Sequence, residues 1–131
     1  MFESKTVVFV CEHGAAKSVI AATYLNKFAQ ENGLHIEALA RGTNPDAGLS
    51  GYAVAGLLAD GLVPHQLTPQ KLSAEEVECA DIVIAFCDLP EADPGRNNIE
   101  YWHSVPAVSE DYAKARDIIV AKLHAVMKKM T

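Results

Sequence analysis

Thr6-Val7-Val8-Phe9-Val10-Cys11-Glu12-His13-Gly14-Ala15-Ala16-Lys17-Ser18 is the stretch on which the reading of this chain turns. Its first five residues form an unbroken apolar and β-branched run, which suits a strand buried on both faces, as in a parallel sheet. From Ser18 the pattern changes to helical spacing. Ile20, Ala21, Tyr24, Leu25 and Phe28 recur on one face, and Asn32-Gly33 supplies the stop, so a helix is expected over residues 18–30. Ligands of parallel sheets bind beyond the carboxyl ends of the strands, and Cys11 stands at that end of the first one. Gly14, Ala15 and Ala16 are small enough for the loop amides to turn inward around a tetrahedral anion at the start of the helix. Those amides, the helix dipole and Lys17 are expected to lower the thiol pKa and yield a nucleophilic thiolate near neutral pH, with the Ser18 hydroxyl donating to the sulfur.

Working outward, residues 34–40 read as a second strand. Residues 49–59 form an alanine-rich helix closed by Asp60-Gly61, although its glycines weaken the helical preference. Thr68-Pro69 has the form of a short helical turn, and Ser73-Ala74-Glu75-Glu76 that of a capping box opening a short helix. Residues 81–86 are apolar through their middle and read as a central strand, followed by a polar loop over 88–98 and a short strand at 99–102. Ser109 is the expected N-cap of a last helix running to about residue 129, its buried stripe being Tyr112, Ala115, Ile119, Leu123, Val126 and Met130. Strands alternating with helices predict an α/β fold, a parallel sheet covered on both faces with right-handed crossovers.

With 131 residues, half of them hydrophobic, the chain suits one packed core and one domain, 1–131. Eleven basic against seventeen acidic residues leave a net charge of −6, which disfavours nucleic acid and acidic lipid as partners. Any positive potential for an anion is therefore local, made by amides and one or two cations. Residues 1–6 lack the form of a secretory signal and no apolar run reaches membrane-spanning length, so a soluble cytoplasmic protein is expected. Three cysteines without framework spacing fit a reducing compartment, and the lack of a CxxC gives no ready zinc site. No cofactor is implied. His35, His65 and His124 lie in unrelated segments without ligand spacing.

A strand followed by Cys, five residues, a cation and Ser resembles the low-molecular-weight protein tyrosine phosphatases and the related thioredoxin-linked arsenate reductases. The likeness runs along the whole chain: Arg41-Gly42-Thr43 is similar to the Gly-Thr after that family's second strand, and the 81–86 run to its fourth. The resemblance implies a three-layer sandwich around a four-stranded parallel sheet, and a thiolate, Cys11, that attacks phosphate or arsenate. Glu12, His13, Gly14, Ala15, Ala16, Lys17 and Ser18 then form the oxyanion loop. The departures are specific. The family's loop Arg, a planar bidentate clamp, is Lys17 here, a point charge. Its loop Gly and Asn correspond to His13 and Gly14. Its general acid, an Asp directly before Pro, corresponds to Val105 before Pro106. His103 is the first choice for a replacement acid, with Asp88 or His13 behind it.

Cys87 follows the 81–86 strand at the same rim as Cys11 and matches the first resolving cysteine of the arsenate reductases. Their second resolving cysteine has no counterpart in the 88–98 loop. A relay within this chain would therefore end at a Cys11–Cys87 bond and need an outside thiol as reductant. Cys79 precedes a strand of about 20 Å and belongs near the opposite edge of the sheet.

Together these features favour an enzyme acting on an oxyanion, arsenate slightly ahead, with a phosphotyrosine or small phosphomonoester phosphatase of reduced activity as the alternative. An oxyanion-binding or redox-sensing module without turnover is the alternative of another class. The bland readings are a packed thiol for Cys11 or Cys87, a solvated first-turn Lys17, and a surface His103 beside Trp102.

Overall fold

The computed structural model describes residues 4–64, 66–89 and 98–130. His65, residues 1–3 and most of the loop expected at 88–98 therefore lie outside the described residues. The elements in chain order are β1 (Lys5–Cys11), α1 (Lys17–Glu31), β2 (Ile36–Gly42), α2 (Gly51–Ala59), α3 (Ala74–Cys79), β3 (Ile82–Ala85), β4 (Ile99–Tyr101) and α4 (Tyr112–Met130). The four strands form one sheet in the order β2-β1-β3-β4, and every neighbouring pair is parallel.

The continuous apolar run of β1 has the expected consequence. Val7 and Phe9 enter one buried cluster with α1, α2 and α4, whereas Val8 and Val10 enter a second with Leu72, Val77 and Leu89 on the α3 side. Alternating side chains on a central strand must feed both faces, so both need a cover. The α4 stripe is buried from Ala115 to Met130, with Ile119 and Leu123 at 0 % exposure, while Tyr112 at its start is half-buried. Each such side chain contributes about 2 kcal/mol on burial.

Several boundaries differ from the sequence expectation, each for a local reason. β2 begins and ends two residues later than expected, because its ladder with β1 runs from the Lys5–Ile36 pair to the Cys11–Gly42 pair. No helical turn forms at Thr68-Pro69. The chain bends at 67–68 and then runs beside the end of β2, where the Gly42 amide donates to the Gln70 carbonyl (2.8 Å) and the Leu72 amide to that of Gly42 (2.9 Å). The 81–86 strand shortens to Ile82–Ala85, third in chain order, and pairs directly with β1. α2 starts at Gly51, with Ser50 as its N-cap. α4 is capped by Asp111, whose carboxylate accepts from the Lys114 amide at 3.0 Å, in place of Ser109. The capping box at Ser73 and Glu76 forms as read.

Gly56 has a packing reason to interrupt an alanine-rich helix. A Cβ there would run into the ring of Tyr112, so the glycine lets α4 lie against α2.

Candidate functional site

Cys11 ends β1, and residues 12–16 carry the chain into α1, which opens at Lys17 without a side-chain cap. The loop is held from behind by the segment after β2. The amides of Thr43, Asn44, Asp46 and Ser50 donate to the carbonyls of Cys11 (3.3 Å), Glu12 (2.8 Å), His13 (3.0 Å) and Ala15 (2.9 Å). A trans peptide sets its C=O and the next N–H on opposite sides. The amides of Glu12, His13, Gly14 and Ala16 therefore face away from residues 43–50, the arrangement of an anion nest at a helix N-terminus.

Glycine is required twice in this turn. Gly14 has φ +62°, and a Cβ on it would approach the Gly42 amide nitrogen to 2.9 Å. A Cβ on Gly42 would in turn meet the Gly14 nitrogen at 2.8 Å. The loop can lie on the end of β2 only because both side chains are missing.

The Cys11 sulfur lies 3.0 Å from the Ser18 hydroxyl oxygen, and Ser18 is fully buried at the start of α1. Shut off from solvent, that hydroxyl has the sulfur as its side-chain partner among the described residues, and either atom can be the donor. Lys17 is half-buried, and its ammonium donates to the Val105 carbonyl at 2.8 Å, joining the loop to the segment between β4 and α4.

Cys87 lies just beyond β3. The Phe86 amide donates to the Val10 carbonyl at 2.7 Å, so the chain is still in register with the end of β1 when it reaches Cys87. Burial pushes the Cys87 thiol above its usual pKa, and the charge of Cys11 pushes it further, with Glu12 and Asp88 adding to the same effect. A hydrogen bond with the Thr43 side chain works the other way. Cys11 packs against the α1/α4 cluster and Cys87 against the α3-side cluster, so the two free thiols flank the rim of the sheet.

The remaining sequence candidates form two pairs. His13 Nδ1 is 3.1 Å from Asp46 Oδ1, and His13 Nε2 is 3.8 Å from Glu12 Oε2. His103 Nε2 is 3.2 Å from Asp88 Oδ1, next to Cys87, with the Tyr101 ring against its imidazole. His103 and Asp88 were considered as separate candidates for one acid, and the fold joins them. Cys79 is exposed at the end of α3, the segment that leads into the opposite end of β3. Among the described residues no three His, Cys, Asp or Glu side chains gather as metal ligands, and no helix is long and apolar enough to cross a membrane.

Sequence reasoning missed the function of Thr43 and Gly42. The Thr43 hydroxyl donates to the Glu12 carbonyl at 3.5 Å and acts to lower the Cys87 pKa, while Gly42 makes room for Gly14. The Gly-Thr after the second strand was visible as a motif, but its target emerges only when β2 lies beside β1. Arg41, just before them, serves the frame: its guanidinium bonds Glu76 (2.6 Å), Gln66 (3.0 Å) and the Ala40 carbonyl (2.9 Å), tying β2 to the capping box of α3.

Comparison with known proteins agrees with this fold. No curated protein matches the sequence. Among solved structures, a mutant of YwlE from Bacillus subtilis is similar with a TM-score of 0.80 and 18% identity, over 96% of this chain and 98% of that one. A low molecular weight protein tyrosine phosphatase from T. tengcongensis is similar at 0.75 and 21% identity, over 96% and 99% of the two chains. A thioredoxin-dependent arsenate reductase from Corynebacterium glutamicum is similar at 0.77 and 21% identity, over 97% of this chain and 62% of that one. At such identities the likeness is one of fold. The sequence itself matches the family model of low molecular weight phosphotyrosine protein phosphatases over residues 6–93, and with the Cys11 loop in place at the head of α1 this chain belongs to that family of enzymes.

Proposed function

We propose that the protein is a cysteine-thiolate enzyme acting on an oxyanion, with arsenate reduction its favoured chemistry. Cys11 is the nucleophile, Ser18 stabilises its thiolate, and Lys17 with the amides of residues 12–16 and 18 holds the oxygens. The observation that carries the choice of arsenate is a second free thiol, Cys87, just beyond β3, where the chain is still in register with the end of β1 that bears Cys11. While Cys11 is anionic it holds the Cys87 proton on. Once the Cys11 sulfur has bonded to arsenic, the negative charge passes from the sulfur to the arsenate oxygens, which the loop amides and Lys17 hold, and Cys87 ionises more readily.

The steps balance. The Cys11 thiolate attacks As(V) and an arsenate oxygen leaves as water after protonation. The Cys87 thiolate then attacks the Cys11 sulfur, the S–As electron pair stays on arsenic, and As(III) departs as arsenite. The product disulfide is reopened by an external thiol reductant, which suits a compartment with a thiol pool, such as the cytoplasm.

The His103–Asp88 pair favours a second reading, phosphomonoester hydrolysis, in which the imidazolium protonates the leaving oxygen. Reduced protein is incubated with arsenate or phosphate, its free thiols are alkylated, and disulfides are mapped by peptide mass spectrometry beside Cys11→Ser. An arsenate-dependent Cys11–Cys87 bond is expected. If none forms while a chromogenic phosphomonoester is hydrolysed in a Cys11-dependent manner, the reductase reading fails and the phosphatase reading stands. Anion binding without either product would leave an oxyanion-binding module, whereas a Cys11–Cys87 bond formed by peroxide but not by arsenate would indicate a redox sensor.

A further inference from the structure

We infer that Lys17 does more than hold the anion: it straps residues 102–108 to the Cys11 loop and grips that segment and a bound oxyanion at the same time, an inference that rests on the reading of the loop as an oxyanion cradle. The strap is the 2.8 Å hydrogen bond from the Lys17 ammonium to the Val105 carbonyl, which spans 88 residues of sequence. Residues 102–108 connect β4 to α4 without a regular element, and Trp102, Val105 and Val108 anchor their inner side in the core, each 4 % exposed. That burial fixes depth. It does not determine how the polar backbone faces the cradle, and Lys17 supplies that connection. The peptide it grips ends at Pro106, which has no N–H, so this peptide offers the cradle an acceptor and no donor.

An ammonium presents three donors in divergent directions, and Val105 uses one of them. No hydrogen bond to another described residue takes the others, which leaves them for a ligand at the head of α1. A guanidinium holds its donors in one plane and favours a bidentate clamp on one carboxylate or phosphate face, whereas an ammonium can turn its donors out of any one plane toward two walls of a site. Lys17 in the loop and Val105 before Pro106 are thus two parts of one arrangement, in which a cation and a backbone carbonyl join the two walls of the site. Filling the cradle should therefore tighten residues 102–108. Trp102, the only tryptophan in the chain, lies in that segment and reports on it.

The test follows hydrogen exchange of the 103–108 amides and Trp102 emission in the natural protein and in Lys17→Met, with and without inorganic phosphate. Protection of Cys11 from iodoacetamide reports anion binding separately. In the natural protein phosphate should slow exchange of the segment and shift the emission. Without phosphate, the segment of Lys17→Met should exchange about fivefold faster than the natural one, the factor expected for one hydrogen bond, and phosphate should no longer slow it even at concentrations that protect Cys11. Exchange in Lys17→Met equal to the natural rate would overturn the strap. So would phosphate that protects Cys11 of the natural protein yet leaves the segment unchanged or speeds it, and this arm decides the matter even if the variant fails to fold. Failure of phosphate to protect Cys11 at all would sink the cradle and with it the bridge, while the anion-free comparison would still decide whether Lys17 straps the segment.

Discussion

Two polar constellations are built on α1, and they use their hydrogen bonds in opposite ways. At the Cys11 loop the carbonyls are taken by residues 43–50 and the amides are turned the other way, beside a thiol held by one hydroxyl. Around Asp60, at the end of α2, the bonding is closed on itself. Tyr24 and Tyr112 donate to Oδ2 at 2.6 and 2.8 Å, and Arg116 donates to Oδ1 at 2.8 Å and to Asp117 at 2.9 Å. Burial alone would raise the Asp60 carboxyl, but the hydrogen bonds from Tyr24, Tyr112 and Arg116 outweigh it and hold its pKa below the ordinary value. Burial and the Asp60 bond push the Tyr24 phenol up to about 12, and the Tyr112 phenol is raised by the same causes. A network that binds its own donors and acceptors joins α1, α2 and α4 and leaves nothing for a ligand. A set of amides facing away from its own scaffold, next to a thiol, leaves its donors open to one.

The contrast predicts that damage to the first region removes chemistry and damage to the second removes stability. Cys11→Ser should lower thiol-dependent turnover by about 1000-fold or more while leaving the urea midpoint unchanged. Residual turnover near the natural rate would place the nucleophile elsewhere. Asp60→Ala strands two phenols and a guanidinium, and should cost about 3 kcal/mol in urea unfolding with activity per folded molecule intact. A variant as stable as the natural protein would show that the cluster does not hold the helices together.

Gly14→Ala blurs the division, because it strains the +62° backbone and drives a Cβ into Gly42. It should cost about 2 kcal/mol and also the oxyanion chemistry, measured by unfolding and by turnover on the same sample. Intact turnover would mean that the close fit of the loop on β2 is dispensable.

The smallest effect is one of pH. Tyr24 is raised from 10.0 to about 12 in the folded protein, so between those values the unfolded chain has released a proton that the native one keeps. Its contribution is complete below the unfolded pKa and is lost as pH rises toward the folded one, on the order of 1–2 kcal/mol after screening. Tyr24→Phe should flatten that alkaline decline, and an unchanged slope would show that Tyr24 does not carry it.

Much of the fold was legible in the sequence because it is written in near neighbours. The apolar run of β1 showed a strand covered on both faces, the spacing in α4 marked all five of its buried residues, and Ser73 with Glu76 announced the capping box. At the site, the spacing from Cys11 to Ser18 pointed to the thiol–hydroxyl contact, and the position of Cys87 after an apolar strand pointed to the shared rim. Misread features depended on partners far along the chain. Thr68-Pro69 has helix-start chemistry, yet the backbone that follows satisfies its hydrogen bonds on the edge of β2. Ser109 is as good a cap as Asp111 by residue type, and packing of the α4 stripe decides which one stands at the first turn.

By itself, then, the sequence determined the alternation of strands and helices, the thiol at the end of β1 and the small residues that let the loop close. These follow from side-chain periodicity and from what glycine and a thiol are. Only the tertiary structure decided that Lys17 grips Val105, that Thr43 reaches the Glu12 carbonyl, that His103 pairs with Asp88, and that Tyr24, Asp60, Tyr112 and Arg116 form one knot. Each of these joins groups between 15 and 88 residues apart, or more than one such pair, and depends on which elements the β2-β1-β3-β4 sheet brings side by side. A hydrogen bond is sensitive to tenths of an ångström and local sequence spacing carries no such information across a crossover.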